Sequence, residues 1–196
     1  MRIRKLAVAT VWISAACYGA GPKLAVVIFD YAGTPGATLK AAAETAREDF
    51  RTAGVETEWS VCRVPRDLYE HCALLPAGAI RVNVIPRDLE GALKSGESLG
   101  CAMMCPGCMI AYAFYQPVEA LAGSADGSVS TTLAVVMAHE VGHLLGMLHS
   151  PSGIMKALLT RRDIRDAQMG RMRFTEGEAK LQAAAERETS LLVAVN

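Results

Sequence analysis

Apolar positions along the chain change their period several times, and each change marks an element. Lys23 to Asp30, KLAVVIFD, is a short β-branched and aliphatic run between Gly21-Pro22 and the turn-rich YAGTPG, which predicts a buried strand. In ATLKAAAETAREDFRTAG the Ala, Leu and Phe positions recur at helical spacing without an internal proline, and Gly54 supplies the stop. Val55 to Val61 alternates as a second strand. Ala79 to Pro86 sets Ile80, Val82 and Val84 against Arg81, Asn83 and Ile85, a third strand with one face toward polar surroundings, and Met109 to Gln116 is the fourth. Between them RDLEGALKSGESLGCAMMCPGC, rich in Gly, Ser and Cys, is predicted to be a long surface loop over the sheet. Pro117 to Asp126 reads as a connection with a helical turn at VEALAG. With Ser128 or Ser130 as cap, TTLAVVMAHEVGHLLG is a helix whose N-terminal half is apolar nearly all round, and such a helix is central and buried. Thr175 and Glu178 have capping-box spacing ahead of a last helix through EGEAKLQAAAERE.

Length and charge narrow this picture only a little. The 196 residues suit one domain, and balanced charge with 52% apolar residues speaks against disorder, a nucleic-acid partner or a charged interaction tail. The N-terminus says more. Arg2, Arg4 and Lys5 precede an uncharged run from Leu6 to Cys17 that is too short to span a bilayer, the pattern of an export signal over residues 1–20. Cleavage is expected at about 16–20, after Ala16 or after Gly19. Ser14-Ala15-Ala16-Cys17 also leaves open a lipid anchor at Cys17, although an aliphatic residue normally stands where Ser14 is. Signal removal takes three cations and leaves a mildly acidic chain, with no later uninterrupted apolar run of eighteen residues and hence no expected transmembrane span.

Three of the four histidines fall within His139 to His149. His139 and His143 are four apart, one turn on the same helical face, close enough to bind one metal ion together. Glu140 stands about 100° round the helix and can flank a metal without ligating it. Gly146 can take positive φ, end the helix and turn the chain back, which makes His149 available as a third ligand. Three imidazoles leave a fourth zinc position open, as catalytic sites do and four-ligand structural sites do not. A lone histidine on an apolar helix is usually a core residue, and H-E-x-x-H arises by accident. The full H-E-x-x-H-x-x-G-x-x-H, matched here at every specified position, is far more specific.

The stretch from His139 to His149 resembles the zinc signature of the metzincin metallopeptidases, and Ser152-Gly153-Ile154-Met155 resembles their Met-turn. The resemblance implies one catalytic Zn2+ on His139, His143 and His149, Glu140 as general base, and Met155 beneath the metal. It also implies an α+β, zincin-like fold: a twisted mixed sheet of four to five strands packed on the active-site helix, with a small C-terminal helical subdomain. On this plan residues 21–196 form a single catalytic domain, with an N-terminal part about 21–146 and a C-terminal part about 147–196. Motif identity covers Val136 to Met155. Met155 follows His149 by only six residues, and Ala157 stands where some metzincins carry an auxiliary tyrosine. The tail from His149 onward also resembles small exported bacterial proteins of matrixin-like type.

Cys101, Cys105 and Cys108 have the spacing of an iron–sulfur motif, but that chemistry belongs to reduced cytosolic enzymes, and an exported chain is expected to form disulfides. Cys62 with Cys72, and two of the three loop cysteines, can close small loops, which leaves one odd thiol that is idle, pairs with another chain or binds the zinc. His71 reads as a loop or surface residue, and Arg161, Arg162, Arg165, Arg171 and Arg173, interleaved with Asp163 and Asp166, as a solvated helical face. The expected function is an exported zinc metalloendopeptidase acting on protein or peptide, with an edge strand, Met109 to Gln116 or its neighbour, holding the substrate extended. The rivals are a zinc hydrolase of a non-protein amide and an exported zinc-binding protein without turnover.

Overall fold

In the computed structural model, residues 23–64, 72, 75–87, 98–105 and 107–175 are described. The expected signal segment, His71 and the helix expected after Thr175 lie outside them. Five strands form one mixed sheet in the order β2-β1-β3-β5-β4, where β1 is Leu24–Asp30, β2 Thr57–Arg63, β3 Ile80–Ile85, β4 Gly100–Cys105 and β5 Cys108–Phe114. β1 pairs in parallel with β2 and β3, and β3 with β5, while β4 runs antiparallel to β5 from Gly100↔Ala113 to Cys105↔Cys108. Four helices accompany the sheet among the described residues: α1 Gly36–Thr52, α2 Tyr115–Ser124, α3 Val129–Leu144 and α4 Arg161–Gln168.

Two expectations are corrected, and a third is settled between its two alternatives. The supposed loop before Met109 contains strand β4, because the small and apolar residues GCAMMC can pair with β5 across the turn at Gly107, φ +77°. β5 therefore lies inside the sheet, and it is its neighbour β4 that forms the edge. Pro117 to Asp126 is mostly a true helix, α2, which starts at Tyr115 so that Pro117 falls in its first turn, where a missing N–H costs nothing.

One face of the sheet buries Val26, Ile28, Ile80, Val82 and Ala111 against α1 and α3. α3 is buried continuously from Thr132 to Gly142 and touches α1, α2, α4, β4 and β5, as its all-round apolar sequence demands. Ser128 caps it, accepting from the Thr131 N–H. Cys62 is bonded to Cys72 and Cys105 to Cys108, which among the described residues leaves Cys101 on β4 as the free thiol.

Asp49, near the end of α1, is only 3% exposed, and its charged partner is Arg173, whose Nη1 donates to Oδ1 at 3.1 Å. Burial outweighs that partner and pushes the carboxyl from 3.8 up to about 6. The folded chain thus holds this proton more tightly than the unfolded chain. The stabilisation is complete below about pH 4 and is lost as the pH rises through about 6, amounting to at most about 3 kcal/mol. Asp49→Asn removes the charge that must be buried. Its melting temperature is expected to gain on the parent's by up to about 12 °C between pH 4 and pH 7, and a constant difference across that range refutes the account.

Candidate metal centre

The helix and the chain after it converge on one small volume. His139 and His143 leave the same side of α3, and each has its far ring nitrogen committed to the backbone. His139 Nδ1–H donates to the Ile154 carbonyl at 2.7 Å, and His143 Nδ1–H donates to the Met147 carbonyl at 2.9 Å. That choice of tautomer leaves both Nε2 lone pairs free. Gly146, at φ +83°, ends the helix and reverses the chain, and His149 returns toward the pair. Nε2 of His143 is 3.0 Å from that of His139 and 3.1 Å from that of His149, and all three ligand atoms lie within 4.8 Å of one another.

Neutral imidazoles repel when their lone pairs face one another at such distances. Burial pushes His139 down to about 4, so it does not become a donor near neutral pH. A cation among the three rings turns this repulsion into coordination. Tetrahedral zinc with Zn–N of 2.0–2.1 Å requires nitrogens about 3.3 Å apart, so the cluster fits one such ion. An imidazole-only donor set also suits zinc.

Met155 is fully buried beneath α3. A Cβ placed on Gly142, between the two helical histidines, would stand 2.6 Å from its sulfur, so the missing side chain is what admits Met155. Six residues suffice from His149 to Met155 because the loop folds tightly. The Ser150 N–H donates to the Met155 carbonyl at 2.9 Å, Ser150 and Lys156 form a bridge, and Gly153 sits at φ +76°. Residues 171–175 strap this loop from below. The Ile154 N–H donates to the Arg173 carbonyl at 3.0 Å, and the Phe174 ring rests 4.9 Å from that of Phe50 on α1. Gly153 is required here, since a Cβ would lie 2.3 Å from the Arg173 oxygen.

This strap corrects the reading of the arginines as one solvated helical face. Arg161, Arg162 and Arg165 are exposed on α4, whereas Arg171 and Arg173 lie beyond it, pairing with Asp166 and with buried Asp49. No local period marked residues 171–175, because their partners are far away in sequence.

Glu140 is 7% exposed, and burial pushes its carboxyl up to about 8 in the metal-free chain. Gly100 of β4 presses on it. A Cβ there would come within 2.8 Å of Glu140 Oε1 and 2.5 Å of the Tyr112 carbonyl. Nothing in SLGCAMM singled out this glycine. Glu140 and the three histidines line a cavity of about 330 Å3, with residues 98–102 on one bank and residues 156–159 on the other. Cys101 lies on the first bank, and burial, then the charge of Glu140, pushes its thiol up.

The mixed sheet carries an antiparallel edge strand beside a helix that bears two paired histidines. No family model and no curated protein matches the chain. Among solved structures it is similar to archaemetzincin from Methanopyrus kandleri, with a TM-score of 0.58 at 14% identity over 88% of this chain and 99% of that one. It is also similar to a zinc-dependent peptidase from Methanocorpusculum labreanum, with a TM-score of 0.53 at 15% identity over 80% of this chain and 99% of that one. At such identities the likeness is one of fold.

Gly100→Ala tests how tightly β4 and Glu140 are fitted. The added methyl is expected to cost about 1–3 kcal/mol, read as a fall in melting temperature, while leaving bound zinc unchanged because no imidazole is touched. An unchanged melting temperature would sink this view of the packing.

Proposed function

We propose that the chain is an exported zinc-dependent endopeptidase of metzincin type, hydrolysing peptide bonds with Glu140 as general base and then general acid. The observation that carries the reading is the convergence of three Nε2 atoms with a buried carboxyl group in a cavity beside an edge strand. His139, His143 and His149 hold the metal, and Met155 packs beneath them. Zinc so held would polarise a substrate carbonyl and lower the pKa of water toward about 7. Glu140, one residue from a ligand and packed against Gly100, would take a proton from the attacking water and return it to the departing amine. Its burial raises its proton affinity toward the range a base needs near neutral pH, and a dication nearby draws it back down.

The outer edge of β4, Gly100–Cys105, offers backbone groups for an extended peptide to pair with, so chain can continue on both sides of the scissile bond. The two similar structures are a zinc-dependent peptidase and an archaemetzincin, which supports the same chemistry. Export is supported by the signal-like N-terminus and by two disulfides, which persist in oxidising compartments.

The parent and Glu140→Gln are to be compared on a mixed peptide library with zinc measured in both. The parent is expected to hold one zinc and to cleave within peptides. The variant is expected to keep the zinc and lose about 10²–10⁴-fold in rate. Chelator should abolish cleavage and lower the melting temperature, both recovering when zinc is restored. A zinc-loaded parent that cleaves no peptide overturns the peptidase reading, and a folded parent that takes up no zinc overturns the metal centre itself.

A further inference from the structure

Support for the three histidines is unequal. His139 and His143 are each fixed by the helix backbone and by a carbonyl on Nδ1. His149 lies beyond α3, is exposed, and among the described residues its Nδ1 has no hydrogen-bond partner. Its place therefore depends on the chain that follows it. Ser150 is bridged to Lys156, and the side chain of Lys156 runs to α4, where Nζ donates to both oxygens of Asp163 at 2.9 and 2.7 Å. The same carboxylate accepts from the Thr160 N–H at 2.7 Å and from its hydroxyl at 2.6 Å, so four donor contacts fix it. The pair is sheltered, with side chains 29% and 17% exposed, and α4 is seated on the body of the protein by buried Ile164. A closed circuit results: α3, α4, Asp163, Lys156, Ser150, His149.

We propose that the Lys156–Asp163 ion pair positions His149 as a metal ligand, acting through the Ser150–Lys156 bridge; this rests on the reading of the three histidines as one zinc site. Lys156 and Asp163 are positioning residues, since neither contacts the imidazole. The pair is mostly shielded from water, so its geometry is better defined than that of a surface pair. Removing a partner hydrogen-bonded to a metal ligand weakens binding about 10–100-fold, and through this longer chain of contacts the effect is expected at the lower end of that range.

Zinc affinity is to be measured by competition with a chromogenic chelator, together with the zinc release rate and the melting temperature of the metal-free protein. Lys156→Met is expected to weaken zinc binding at least about tenfold and to speed release, while the metal-free melting temperature moves by less than about 3 °C. Asp163→Asn removes the same anchor from the other side and should act in the same direction, whereas Lys156→Arg keeps the charge and reach and should stay within about threefold of the parent. Adding His149→Ala to Lys156→Met should cost less than in the parent, because the two changes remove one support. Parental affinity and release in Lys156→Met overturn the proposal, as does a fully additive double mutant. So does an affinity loss matched by an equal loss of metal-free stability. A parent that binds no zinc overturns the underlying site reading instead.

Discussion

Three neutral imidazole lone pairs aimed at one small volume repel one another, so their convergence has to be enforced by everything around them. At His139 and His143 the enforcement is local: a helical turn sets the spacing, and carbonyls of Ile154 and Met147 take the opposite ring protons. At a distance it is the apolar contact of α3 with the sheet and three other helices that keeps the turn from fraying. The carbonyl that orients His139 belongs to the Met155 loop, and that loop is tied in turn to Arg173. The metal centre is thus the meeting point of the core, the loop and the C-terminal strap, and none of them is dispensable to it.

Legibility in the sequence followed the range of the interactions. β1, α1, β3 and α3 were readable because apolar period and caps are properties of neighbours in the chain, and the histidine spacing was readable for the same reason. Gly146 was understood from its place at the helix end, and its φ of +83° bears this out. β4 was not readable, since GCAMMC has little strand character of its own and becomes a strand by pairing with β5. Gly100, Arg173 and the Lys156–Asp163 pair were equally hidden. Each matters because of a partner on another element: Glu140 for Gly100, Asp49 for Arg173, and α4 for Lys156.

The two glycines that let the Met155 loop close up against its neighbours have different reasons for being glycine. Gly142 lies within a helix, where a side chain is no strain to the backbone, and it is small so that the Met155 sulfur can reach the helix. Gly153 meets both conditions at once, a positive φ and a strap oxygen where its side chain would be. Together they let a short loop close tightly, which explains how a step of six residues from His149 to Met155 suffices.

α3 supplies more of the central core than any other element, and two of the three convergent imidazoles, from a single stretch of sixteen residues. A chain in which this helix has not docked on the sheet lacks both the centre of its hydrophobic interior and a place for an ion. Docking of the one helix supplies both. Whatever reactivity the centre has is therefore silent while the polypeptide is extended and switched on by folding itself, a form of latency that requires no separate inhibitory segment.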